Sequence, residues 1–146
     1  MTSNAAYYPP DVRRGPSRAL GVGLWIAQVA LAVLFGLAGL MKATLPMADL
    51  AKNVPWAPDA PAALVRLIGV AELAGAFGLL LPSLTRIAPV LTPLAATGLA
   101  VVMALATAFH VHRGELAALG LPVLLGVLAA VVAWGRFGRA RIARRD

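Results

Sequence analysis

Four long apolar runs, each almost free of polar residues, restrict this chain more than any other feature. They cover about residues 19–41, 62–81, 87–111 and 116–134. An α-helix rises 1.5 Å per residue, so about 20 residues cross a bilayer core of about 30 Å. Each run is near that length. Lipid offers no hydrogen bonds to the backbone, and a helix satisfies its own N–H and C=O groups. Composition points the same way. Hydrophobic residues make up 60% of the chain and charged residues 13%, and the mean hydropathy is +0.82. Soluble domains carry about twice that charged share to cover a water-facing surface. The expected fold is all-α, an integral membrane four-helix bundle.

The segments between the runs divide the chain. Residues 1–18 are polar, with Pro9, Pro10, Gly15 and Pro16, and read as a disordered tail. The run that follows is too long for a signal-peptide core, so it reads as a retained helix. Residues 19–135 form the transmembrane domain, and 136–146 a basic tail. The first connection holds Pro46, Pro55, Pro58 and Pro61 around Trp56, which suggests a rigid loop with the indole at headgroup level. Residues 82–86 and 112–115 read as tight turns, with the second helix ending at Pro82. Pro89, Pro93 and Pro122 fall in the first turns of their helices, where a missing N–H costs little.

Charge sets the expected orientation. The net charge is +7, and the basic residues sit at the ends of the runs rather than in a patch suited to nucleic acid. Arg13, Arg14, Arg18, Arg86 and five arginines from Arg136 to Arg145 fall on one side of a four-span chain. Lys42, Lys52, Arg66 and Arg113 fall on the other. The positive-inside rule then puts both termini in the cytoplasm, and the chain in the inner (plasma) membrane as a multi-pass protein.

With no cysteine, disulfides, thiolate metal sites and dithiol chemistry by this chain are excluded. No nucleotide loop, hydrolase elbow or zinc motif occurs, and His110 and His112 are two residues apart with no third ligand in a motif, so no metal site is expected.

Polar groups within a bilayer are costly, which makes each one a candidate. Glu72 lies about ten residues into the second run, about 15 Å deep. Gln28 lies about ten residues into the first and is a candidate hydrogen-bond partner for it. Arg66 and Gly69 precede Glu72 at spacings of three, on roughly one face. Arg66 is about 9 Å along the axis from Glu72, so a bound ligand or water is expected between them. His110, Lys42 and Arg66 are expected to surround an outer-leaflet pocket, with Glu72 and Gln28 deeper and no comparable polar pocket at the cytoplasmic end. In that arrangement Glu72 and His110 are the candidate catalytic, proton-handling residues. Lys42, Arg66 and Gln28 are the candidate ligand-binding ones.

The run closing on Phe35-Gly36-Leu37-Ala38-Gly39-Leu40-Met41-Lys42 resembles the first helix of DoxX-like membrane proteins. Arg66-Leu67-Ile68-Gly69-Val70-Ala71-Glu72-Leu73-Ala74-Gly75 resembles their second, and Leu81 to Arg86 the turn after it. Met103 to His110, followed by Arg113-Gly114-Glu115, resembles the end of the third. The likeness covers about residues 20–137. It implies a four-helix membrane fold and a loose link to redox chemistry, since the family takes its name from a small membrane subunit of a thiosulfate:quinone oxidoreductase. It also implies that a soluble redox partner supplies any thiol chemistry, and it favours Lys42, Arg66, Glu72 and His110 as site residues.

Two functional readings follow. One is a membrane subunit of a quinone-linked oxidoreductase system, with quinone as the candidate cofactor. The other is a non-catalytic scaffold that recruits soluble partner proteins through its Arg-rich tail. Besides the lipid bilayer, a homo-oligomer is an expected partner arrangement, because four short spans bury little surface among themselves.

Overall fold

The computed structural model describes residues 18–145. The tail expected over 1–18 therefore lies, except for Arg18, outside the described residues. Four helices are long and apolar enough to cross a membrane: α1 (Arg18–Thr44), α3 (Ala62–Thr85), α4 (Leu91–His112) and α5 (Gly120–Phe137), the last preceded by a 3-10 turn at Leu116–Ala118. A one-turn helix α2 (Met47–Leu50) and a 3-10 turn (Ala57–Asp59) lie in the first connection. No strand occurs among the described residues.

The helices close into a ring in which α1 packs on α3 and α5, and α4 on α3 and α5. Buried positions recur every three or four residues, as at Leu24, Gln28, Leu31, Phe35, Gly39 and Lys42 on α1. That spacing keeps one face of each helix inward. The outward faces are apolar too, with Ile26, Leu67, Phe77 and Leu105 all more than 60% exposed. A surface of that kind is stable in hydrocarbon and not in water.

Glycine brings α1 and α3 together. A β-carbon at Gly39 would lie 2.7 Å from the Gly69 carbonyl oxygen, and one at Gly69 would lie 2.8 Å from Lys42 Cβ. The two backbones touch directly, as small residues permit in membrane helices.

Several helix ends differ from the sequence reading. α1 runs past Met41 to Thr44, carrying Lys42 into the bundle because an anion waits for it on α3. α3 continues through Pro82 to Thr85. The proline forfeits one bond, and the last-turn carbonyls are met by Arg86 N–H to Pro82 O (3.0 Å) and Thr85 Oγ1 to Leu81 O (2.7 Å). α4 begins at Leu91 rather than 87. Arg86 and Ala88 both have positive φ (59° and 50°), and a residue before proline is steered away from helical backbone. α5 begins at Gly120 and extends to Phe137. Arg136 thus belongs to the helix and not to the tail.

The first connection is folded. Leu50, Ala57 and Val65 form a small buried cluster under Met41, Val54 and Trp56. Trp56 meets Phe109 of α4 edge-to-face, with ring centroids 5.7 Å apart. This connection therefore caps the end of the bundle where α1 and α4 finish and α3 and α5 begin.

Candidate functional site

Between the helices at the Trp56 end is a cavity of about 380 Å³. Its walls come from all four long helices and from the connection, and nearly all of its lining is aliphatic or aromatic. The ionisable side chains on it are Lys42, Glu72 and His110. Exposed Leu34, Leu64, Leu105 and Leu121 also line it, so the cavity opens sideways toward the region that lipid fills.

Lys42 and Glu72 face one another across the α1–α3 contact. The ammonium lies 2.8 Å from Oε1 and 2.7 Å from Oε2, and the side chains are 10% and 3% exposed. Neither charge would be tolerated in hydrocarbon alone, and each compensates the other. The Gly39–Gly69 approach makes the pairing geometrically available, since it places the two helix axes close enough for a short bridge. The ammonium has three N–H donors and Glu72 offers it two oxygens, which leaves donor capacity for a third acceptor in the cavity.

Arg66 takes another part. Its Nη1 and Nη2 each donate at 2.5 Å, to Lys42 O and Leu45 O. Those carbonyls lie in the last turn of α1 and just past its end, where a cation also complements the helix dipole. Arg66 fixes the backbone that carries Lys42 and does not itself line the cavity. Lys42, and not Arg66, is the cation that meets Glu72.

His110 Nδ1 lies 2.7 Å from Glu115 Oε2. Glu115 Oε1 accepts from Arg113 Nε at 2.6 Å, and Arg113 Nη2 donates to Asp59 at 2.7 Å. The Arg113 guanidinium, and after it the His110 ring, hold the Glu115 carboxyl below its ordinary range. His112 is exposed and outside this arrangement. Glu115 escaped the sequence reading because it sits in a turn. Its spacing of five from His110 becomes a contact only when the chain reverses at Gly114, whose φ is +72°.

Gln28 lies elsewhere. Its Nε2 donates to Leu79 O (2.8 Å) and Ser83 Oγ (3.1 Å), and its Oε1 accepts from Arg136 Nε at 2.5 Å. The Gln28–Glu72 bond expected from depth does not form, because α1 is 27 residues long and positions ten residues in from opposite ends do not meet. Ser83 and Thr92 hydroxyls pair at 2.8 Å. Arg136 also donates from Nη1 to Ala140 O (3.1 Å) and lies over the Trp25 ring at 5.4 Å. The Arg136 end of the bundle, expected to lack polar groups inside, thus holds a buried network of Gln28, Ser83, Thr92 and Arg136. The signal for it was present: Arg136 continues the Leu125, Ala129, Val132 spacing of the buried α5 face.

Set beside known proteins, the chain matches the model of the DoxX-like family over residues 26–132. Neither curated proteins nor solved structures give a match. The matched stretch begins in α1, ends in α5, and contains Lys42, Glu72, His110 and Glu115. A four-span architecture and a family match over most of the chain converge: this is a multi-pass membrane protein that belongs to the DoxX-like family.

Proposed function

We propose that the chain binds a small hydrophobic molecule of the quinone class in the cavity at the Trp56 end, as the membrane component of a redox system. The observation that carries this reading is a buried ion pair and a histidine set in an otherwise apolar cavity of about 380 Å³. Ligand sites are mostly apolar with a few convergent polar groups, and this volume lies within their usual range. A quinone has the matching chemistry. Its apolar ring and tail suit the aliphatic walls, a carbonyl oxygen suits the spare Lys42 donor, and a quinol hydroxyl suits a histidine acceptor. With the Arg-rich end in the cytoplasm by the positive-inside rule, the cavity faces the outer leaflet.

The test uses Trp56 as reporter. Trp25→Phe and Trp134→Phe leave it as the sole tryptophan of the chain. In lipid nanodiscs, decyl-ubiquinone should quench its emission saturably, and Lys42→Gln should weaken the affinity about tenfold, the scale of one charge-assisted hydrogen bond. Non-saturable quenching, or equal affinity in the variant, would remove the reading.

A second reading, recruitment of a soluble partner, draws on exposed Arg139, Arg141, Arg144 and Arg145. Partner recovery with and without residues 139–146 tests it, and equal recovery counts against it.

A further inference from the structure

A second cavity adjoins the first. It is open, and Arg113, Glu115 and Pro55 line it. Two side chains, Trp56 and His110, line both cavities. They form the partition between an apolar chamber among the helices and a charged vestibule at the end of the bundle.

We infer that His110 exchanges a proton between a ligand hydroxyl in the apolar chamber and the vestibule, with Glu115 as the positioning residue that fixes its tautomer. This rests on the quinone-class reading above and adds to it the path of the proton.

Glu115 accepts from Arg113 on Oε1 and meets His110 Nδ1 on Oε2. An ionised carboxylate can only accept, so the neutral ring carries its proton on Nδ1. Nε2 is then an unprotonated acceptor. A quinol or phenol hydroxyl at Nε2 gives up its proton as the O–H bond breaks and Nε2–H forms. The ligand is left as its oxyanion and the imidazolium is held by the Glu115 charge; the Nε2 proton then passes to solvent entering from the vestibule, which restores the Nδ1–H ring with Nε2 open. No electrons move in this step.

Other charged groups stand near the ring. Arg113 and Asp59 act through Glu115, and Lys42 on α1 and Glu72 on α3 line the same chamber. α5 contributes only apolar groups to the chamber wall. Lys42 and Glu72 pair with one another, so Glu115 is the charged group that meets His110 directly.

Two measurements on the full chain in nanodiscs decide the matter. In ¹⁵N spectra, His110 should show the Nδ1–H tautomer, while exposed His112, the only other histidine, shows an ordinary mixture. Glu115→Gln should return His110 toward the mixture. His110→Phe should weaken decyl-ubiquinol binding by about threefold to tenfold and decyl-ubiquinone binding less, because only the quinol hydroxyl donates to Nε2. Equal losses for quinol and quinone in His110→Phe, or a His110 tautomer unchanged in Glu115→Gln, overturn the relay and leave the pocket. Failure of both decyl-ubiquinone and decyl-ubiquinol to bind overturns the pocket and the relay with it.

Discussion

Lys42 Nζ lies within 2.8 Å of both carboxylate oxygens of Glu72, so one short bridge joins α1 to α3 at the floor of the apolar cavity. Removing one partner leaves the other charge uncompensated among buried groups. Lys42→Met should therefore destabilise the bundle by about 3–5 kcal/mol, less whatever Glu72 recovers by taking up a proton. The double variant Lys42→Met/Glu72→Gln should regain most of the loss. Thermal unfolding in detergent followed by circular dichroism measures both. A double variant no more stable than the single one would show that the pair acts on something other than its mutual compensation.

Close backbone contact makes Gly69 intolerant of even a methyl group. Gly69→Ala puts a β-carbon 2.8 Å from Ala43 N and Lys42 Cβ, and forced overpacking costs about 1–3 kcal/mol. Gly98→Ala is the control. Nothing lies within 4 Å of its β-carbon, so it should be neutral or gain up to about 1 kcal/mol from helix propensity. Equal melting temperatures for the two variants would contradict the α1–α3 contact.

Acid should loosen the vestibule before the membrane core. Arg113 foremost, and then His110, lower the Glu115 pKa from its ordinary 4.5. A depressed folded value means the contribution to stability is complete above the unfolded value and is lost as pH falls through the folded one. The window therefore lies below about pH 4.5. Amide exchange at Gly114 and Glu115, whose N–H groups bond to Val111 O and His110 O, should quicken there. In Glu115→Gln that acid response should flatten; an unchanged response would assign it to another group.

At the opposite end, Arg136 holds the chain after α5 in place through Ala140 O, and Ala140 N–H bonds in turn to Gly135 O at 2.8 Å. Arg136→Met should free this segment, so that trypsin cleaves after Arg139 and Arg141 severalfold faster while the four helices stay intact. Gln28→Leu should cost about 1–3 kcal/mol, because it strips the partner from Arg136 Nε and from Ser83 in a buried setting. Cleavage at the unaltered rate in Arg136→Met would show that the segment is held by other contacts.

The spans were legible because membrane helices advertise themselves by length: a run of about 20 apolar residues has few other stable destinations. Glu72 was legible for the related reason that a lone carboxylate stands out in such a run. Its partner was not, since Lys42 looked like a residue beyond the end of helix one. Whether it turns inward depends on the rotation of α1 about the Gly39–Gly69 contact, which no local spacing encodes. Arg136 was hidden by the same habit of reading: an arginine at a span boundary looks like a topology signal. The partners of Gln28 and His110, namely Leu79, Ser83 and Glu115, depended on where α1 and α3 align and on how the chain turns at Gly114.

The polar links described above are unevenly shared among the helices. α1 and α3 are fastened at two heights, by Lys42–Glu72 with Arg66 at one end and by Gln28 with Leu79 and Ser83 at the other. At the cavity end, α4 is tied across the bundle only through Arg113–Asp59 and the Trp56–Phe109 ring contact, among the described residues. The cavity thus has one wall joined by buried polar links and one held mainly by apolar packing. A substitution that loosens this end of the bundle should part α4 from α3 before it parts α1 from α3.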